Sequence, residues 1–421
     1  MPGQAPTQTL APAPTPLTLA QAESLALRNN PQITIGKLRA LEALQNVRAT
    51  RSALLPTAFL SLTGVDSEAG SRIAAGGLNN PVVFPRAAAG ATVSQLITDF
   101  GRTTNLLSSS ELAAKAEDKT YAATTADITI AVDRSFYNCL ETRELVTVAN
   151  QTVDARQLLV DKVQALANAK LRSDLDLSFT KVDFSRAKLL QLEAQNNQES
   201  CLASLSALLG YPDQQNFNLI EPTQPTNAEV PAPSAEPLIL QALQQRPELA
   251  ALQLQLDSAQ KNSHAEHDLW RPTVGALGVV GIAPVRDPAI PNWYGAVGVN
   301  VNIPVFNGFL YNARASTADL QTQVARQKLA ELRNDVARDV RIAWQDTNRG
   351  YQRLAVTQQL REQAGLALDL AQTRYNLGLA SIVEFSQAEL AKTEADIAAA
   401  DATYQYRLTQ LVLSYTVSLP K

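Results

Sequence analysis

Histidine, cysteine and methionine are nearly missing: the 421 residues hold two, two and one of them. Cys139 and Cys201 are too few for a disulfide scaffold and badly spaced for zinc. His264 and His267 stand at i, i+3 beside Glu266 and Asp268, but only two good ligands share a face, a poor metal site. There is no Gly-rich phosphate loop, no CxxC and no Ser/His/Asp arrangement, so hydrolytic or redox catalysis has little raw material. No enzymatic activity and no cofactor are expected. No run of 18 or more apolar residues occurs, which excludes a transmembrane helix. Neither sign of charge dominates: 36 Lys and Arg face 40 Asp and Glu, interspersed, which gives no basic face for nucleic acid. The start, Met1-Pro-Gly-Gln and a Pro/Thr/Ala-rich run to Pro16, lacks the charged and apolar regions of a signal peptide. Either a signal has been removed or the protein is cytosolic; the rest of the chain favours removal. Residues 1–16 are expected to be disordered.

What is present is a chain that contains itself twice. Residues 26–31, Ala-Leu-Arg-Asn-Asn-Pro, match 242–247, Ala-Leu-Gln-Gln-Arg-Pro, at an offset of 216 (247 − 31). Pro56 and Pro272 keep that offset. Asp99 then matches Asn307 at 208 (307 − 99), and this offset relates Phe136 to Trp344, Ser173 to Ser381 and Asp176 to Glu384. Repeats of this kind organise the whole chain. The first runs over 17–219 and the second over 237–421, with the Pro-rich segment 220–236 as linker. Each opens with a helix, about 18–53 and 236–269. A breaker-rich region follows, and then the breakers stop: Arg102 to Leu209 holds neither Gly nor Pro. Such runs mean long helices, about 100 Å for 103–168 at 1.5 Å per residue. Val146, Val153 and Val160 recur every seven residues, and Leu360, Ala364, Ala367 and Ala371 step by 4, 3 and 4, which fits coiled-coil seams. Helix hairpins turn at Asn168–Ser173 and Asn376–Ser381. Ser173 and Ser381 would cap the returning helices, each with an acid three residues on, Asp176 and Glu384, as in a capping box.

Four strand-length runs lie between the helices, at about 57–65, 87–98, 273–283 and 294–305. In the last, Val297, Val299, Val301 and Ile303 alternate with Asn300 and Asn302; its partner places Thr92 and Ser94 on the polar side. Apolar-out, polar-in alternation describes a membrane-barrel strand or a half-buried soluble sheet. The scarce aromatics, 5% of residues, gather at the strand ends: Phe84, Trp293 and Tyr294 at one, Phe100, Trp270, Phe306, Phe309 and Tyr311 at the other. Two girdles are what a barrel needs at its interfaces. Four strands cannot close around a lumen, and an open edge cannot face lipid, so several chains must combine.

The duplicated Asn-Pro and Arg-Pro landmarks, the strand ends Thr98-Asp-Phe-Gly101 and Phe306-Asn-Gly308, and the tip Tyr375-Asn-Leu-Gly-Leu-Ala-Ser-Ile-Val-Glu384 resemble the outer-membrane efflux (TolC) family over about 17–419. The resemblance implies a membrane α+β fold: a homotrimer with one outer-membrane β-barrel, four strands per protomer, continued by an α-helical coiled-coil tunnel in the periplasm. It implies a passive exit duct for drugs, toxic compounds or metals, coupled to an inner-membrane transporter through a periplasmic adaptor. A type I protein-secretion duct of the same fold is the alternative, and a non-channel coiled-coil adaptor a more distant one. Thr92, Ser94, Asn300 and Asn302 would line the lumen. Glu384, Asp176, Tyr375 and Gln387 would stand near the gate, Tyr375 hydrogen-bonding Asp176 of the neighbouring hairpin; simple N-capping accounts for both acids equally well. Lys170, Leu171, Arg172 and Ser173, with Gly378, Leu379, Ala380 and Ser381, would form adaptor-docking tips. Two positions depart from the family pattern: Lys170 where a Gly often opens the tip, and Gln387 in place of a second acid.

Cys139 and Cys201 lie at matched heights on the two arms of the first hairpin, so an oxidising periplasm would tend to join them. The alternative is two unpaired buried cysteines.

Overall fold

The structure is a computed structural model that describes residues 15–66, 68, 86–222, 230–283 and 291–417. The chain forms two compact units. One comprises the chain up to Gly36, Tyr121–Pro247 and the chain from Leu332 on; the other comprises Lys37–Thr120 and Glu248–Glu331.

In chain order the elements are β1 (Thr15–Leu17), α1 (Leu19–Asn29), α2 (Pro31–Ser52), β2 (Thr57–Val65), β3 (Arg86–Thr98), α3 (Arg102–Asn168), α4 (Asp174–Leu208) and β4 (Phe217–Leu219). The order then continues with α5 (Glu236–Gln245), α6 (Pro247–His267), a single 3-10 turn, β5 (Thr273–Ile282), β6 (Trp293–Asn302), α7 (Leu310–Asn376) and α8 (Ile382–Val417). Helices α3 and α7 have 67 residues each, α4 has 35 and α8 has 36.

Each expected opening helix is in fact two. The proline landmarks are the breaks: Asn30 and Arg246, each before a proline, sit at ψ 123° and 126°. The Pro ring pushes the preceding residue out of the helical region, and the proline then opens the next helix, where its missing N–H costs nothing. Thr15 and Pro16 are not disordered; Thr15–Leu17 pairs in parallel with Phe217–Leu219. The N-terminal 14 residues and Phe84 lie outside the described residues, as does 223–229 of the expected linker.

The second unit carries the antiparallel sheet β2-β3-β5-β6. Below it α2 meets α3 through Thr50–Ser110 and Arg51–Glu111, α3 meets α6 through Ser109–Ser258, and α6 meets α7 through Ser263–Asp319 and His267–Asp319. The contacts Arg51–Glu111 and His267–Asp319 fall at the two sequence offsets, 216 for the first residue and 208 for the acid. The His267 ring is thus in hydrogen-bond contact with Asp319, and no cluster of three metal-ligating residues occurs among the described residues.

In the first unit, α1, β1 and β4 close over α3, α4 and α8, around Phe136, Leu140, Leu205 and Leu209. Thr18 opens α1 with a full capping box to Gln21. In α7 the buried positions Val336, Val340, Ala343 and Thr347 step by 4, 3 and 4, and Thr357, Ala364 and Ala371 recur every seven. Ala364 and Ala371 therefore belong to a seam, whereas Leu360 and Ala367 are exposed. A 4-3 pattern identifies a stripe without saying which neighbour covers it, and within one chain only the Ala364 and Ala371 side of this one is covered.

Candidate functional site

Register decides what the strands can do. Cross-strand partners lie on the same face. Asn300 is opposite Gly275, which is opposite Leu96; Gly298, Leu277, Ser94 and Thr57 form the next row, then Ala296, Val279, Thr92 and Phe59. Asn302 pairs with Thr273 on the same side. The opposite face holds Val297, Val299, Val301, Val93, Val280, Ile282, Leu60 and Leu62, with Gln95 interrupting it. This apolar face is bare, Val297 being 91% exposed. Thr92, Ser94, Asn300 and Asn302 thus share one face, as alternation predicts. The terminal aromatics do not act together. Trp293 lies on the apolar face, whereas Tyr294 lies with the asparagines, its hydroxyl over Gly90 and Gly281; a Cβ at Gly281 would also meet the Ala89 carbonyl at 2.6 Å. Period-two alternation forces adjacent residues apart, so only Trp293 of that pair can serve an apolar girdle.

At the other end of the sheet, backbone geometry repeats. Phe100 and Gly101 have φ of 54° and 115°; Gly308 and Phe309 have 63° and 66°. Each half enters its long helix through two left-handed residues, one Gly and one Phe, in swapped order. Asp99 then caps α3, accepting from the backbone N–H of Thr103 at 2.7 Å. Trp270 and Tyr311 pack edge to face at 5.4 Å, and Phe306 and Phe309 at 5.8 Å.

Both hairpin tips end their first helix in the same way. The N–H of Leu171 donates to the carbonyl of Leu166 and that of Lys170 to Ala167; Leu379 donates to Arg374 and Gly378 to Tyr375. These are Schellman turns. The left-handed residue is Gly378 at φ 73° in one and Lys170 at φ 57° in the other, so the missing first glycine changes the residue without changing the turn. Ser173 and Ser381 accept from the N–H groups of Asp176 and Glu384. The reciprocal half of the capping box is not formed at either turn among the described residues. Glu384 instead reaches Arg374 at 3.5 Å.

Tyr375 is buried, 3% exposed, with its ring stacked on Phe385 at 5.3 Å and the Arg172 guanidinium 4.5 Å above it. Arg172 also donates to the Tyr375 carbonyl. The Tyr375 hydroxyl has no hydrogen-bond partner, so the bond to Asp176 is not made in this conformation. Stacking and the guanidinium fix the ring instead. Burial raises its pKa, Arg172 opposes that, and Asp176 adds to it. Leu171, Leu175, Leu377 and Leu379 are exposed around the tips.

Sequence reasoning missed the polar ties above the tips. Arg156 of α3 and Glu389 of α8 form a buried ion pair, and Ser386 of α8 bonds Asp183 of α4. Burial pushes the Glu389 carboxyl up, with Arg156 pulling it back. Gln387, Arg156, Asp183 and Ser386 line one groove of about 380 Å³. A buried arginine on a helix gives no sequence signal until its partner is known. Higher up, Cys139 and Cys201 have Cα atoms 5.5 Å apart and sulfurs in bonding contact, within the reach a disulfide requires; their counterparts Thr347 and Thr409 touch through a hydroxyl-to-carbonyl bond of 3.1 Å.

Comparison with known proteins agrees with this layout. Residues 23–211 and 238–415 match the outer membrane efflux protein family. The outer membrane protein TolC of Escherichia coli is 22% identical over 420 residues, which span 94% of this chain and 82% of that protein. The cobalt-zinc-cadmium resistance protein CzcC of Cupriavidus metallidurans is 22% identical over 322 residues, 76% of this chain and 71% of that one. The crystal structure of the Campylobacter jejuni CmeC outer membrane channel superposes with a TM-score of 0.81 at 17% identity, covering 95% of this chain and 85% of the other. The chain belongs to the outer membrane efflux protein family and serves efflux from the outer membrane, extending into the periplasm.

Proposed function

We propose that three copies of this chain build one passive exit duct for small molecules. Each copy gives four strands to a shared barrel and two hairpins, products of an internal duplication (17–219 and 237–421), to a coiled-coil tunnel. An inner-membrane transporter would supply the energy and a periplasmic adaptor would bridge the two. The observation that carries this reading is the sheet: one face apolar and exposed, the other bearing Asn300, Asn302, Thr92 and Ser94, and its outer strands β2 and β6 each paired on one side alone among the described strands. In lipid such edges must be paired, which needs further copies. Drugs, toxic compounds or metal ions are the proposed cargo; the last fits the name of CzcC. Single-cysteine variants test the barrel. On the background in which Cys139 and Cys201 are replaced by Ala, Asn300→Cys should react with a water-soluble thiol reagent much faster than Val299→Cys; equal rates would refute the lumen-and-lipid assignment.

At the hairpin tips, Glu384 is the proposed gate carboxylate, with Gln387, Asp176 and Tyr375 around it. The tips at Lys170–Ser173 and Gly378–Ser381 are the proposed adaptor-docking surface, with Leu171 and Leu379 bare in them.

A further inference from the structure

Asp133 of α3 is 6% exposed, and no N–H or O–H donor reaches its Oδ1. The group that faces it at hydrogen-bond range is another carboxyl, Glu23 of α1. An ionised pair there would leave two anions in a poorly solvated place with an unpaired oxygen, which is costly. Two turns along α3, Glu141 faces Asp401 of α8, half-buried and with a donor on each acid. Arg353 of α7 donates to Asp401 at 2.6 Å, and Gln405 of α8 donates to Glu141 at 3.2 Å. The other charged or titratable groups around the first pair are Tyr137 on α3, Glu221 after β4, and Arg407 on α8, which is bound to Glu221.

The fold does not demand these acid pairs. The positions 208 residues after Asp133 and Glu141 are Arg341 and Arg349, and each approaches an acid in the ordinary way, Glu236 at 3.9 Å and Asp346 at 4.0 Å. The first half puts acids where the second half puts bases.

We propose that Glu23 with Asp133, and Glu141 with Asp401, each share one proton, and that these protons tie α3 to α1 and to α8 more tightly as the periplasm acidifies. A shared proton puts a hydrogen bond between the two carboxyls and removes one charge from each pair. Burial, then the partner acid, raises both Asp133 and Glu141 to about 7. The sign follows from linkage: the docked state holds a proton that the undocked state has released. Stability is therefore full near pH 4, falls as the pH rises, and levels off above about 7.

Hydrogen exchange and infrared spectroscopy of the purified full-length protein test this together. Amide protection of α1, corrected for intrinsic exchange, should fall by up to about tenfold per pH unit from pH 5 towards 7 and then level. Asp133→Asn can donate to Glu23 without a titrating proton, so the α1 profile should become flat, while Glu141→Gln leaves the α1 slope and flattens α8. Wild-type protein at pH 6 should show a protonated-carboxyl stretching band that each variant weakens. A band absent from the wild type, or α1 protection independent of pH between 5 and 8, overturns the proposal. If a variant misfolds, the wild-type band and profile still decide it.

Discussion

Lys170 and Gly378 occupy the same left-handed position in two otherwise equal turns. A side chain there costs about 1–2 kcal/mol relative to glycine, offset in part by the freedom glycine has in the unfolded chain. Lys170→Gly should therefore slow local hydrogen exchange at 166–172, and Gly378→Val should speed it at 374–382. The same exchange rates in both variants would mean that these turns open in a way that does not involve the left-handed residue. The Glu384 carboxylate is tied to Arg374, but both side chains are about half exposed, so the pair is weakly held. Three Glu384 carboxylates near an axis would favour cations, and Arg374 would moderate them. Glu384→Gln should lower cation selectivity in planar bilayers and Arg374→Ala should raise it. If both leave selectivity unchanged, Glu384 is a helix cap alone.

At the scale of elements, strand positions were legible from the sequence, since alternation and breakers mark them directly. The expected 57–65, 87–98 and 273–283 are β2, β3 and β5 to within a residue. Gly378 marks the second tip directly, but the first was legible only through the repeat, because Asn168–Ser173 contains no breaker and its turn rests on Lys170. The split opening helices were not read correctly: Asn-Pro and Arg-Pro served as landmarks when their chemistry was a break. The ties Arg156–Glu389, Glu23–Asp133 and Glu141–Asp401 were invisible, because each joins residues more than 100 positions apart and no local pattern announces them. The Cys139–Cys201 pair was open between bonded and free, because equal height on two helices leaves their facing sides undecided. Mass spectrometry of unreduced, alkylated protein should find neither cysteine labelled; label on both would leave the pair as packed thiols.

The repeat also bears on the proposed trimer: in a ring of duplicated chains each would meet its neighbour much as its own halves meet. Within the chain, α6 lies against α3, with Ser258 and Ser109 hydroxyls 3.0 Å apart. The counterpart of Ser109 is Thr317 on α7 (109 + 208), and that of Ser258 is Glu42 on α2 (258 − 216). Both offsets hold in space for Arg51–Glu111 and His267–Asp319. Helix α2 leaves Ile35, Leu38, Leu41 and Leu44 bare, and Ala251, the counterpart of Ile35, is buried. A groove of about 390 Å³ beside Thr317 is lined by Leu252, Leu320 and Val324. Three copies would thus join head to tail, α2 of each covering that groove on the next. Paired substitution of Glu42→Cys and Thr317→Cys, oxidised in intact outer membranes and run without reductant, tests this arrangement most directly. The expected product is a covalent trimer that needs both cysteines and collapses on reduction. Migration as a monomer, with both thiols still free to alkylation, would contradict it.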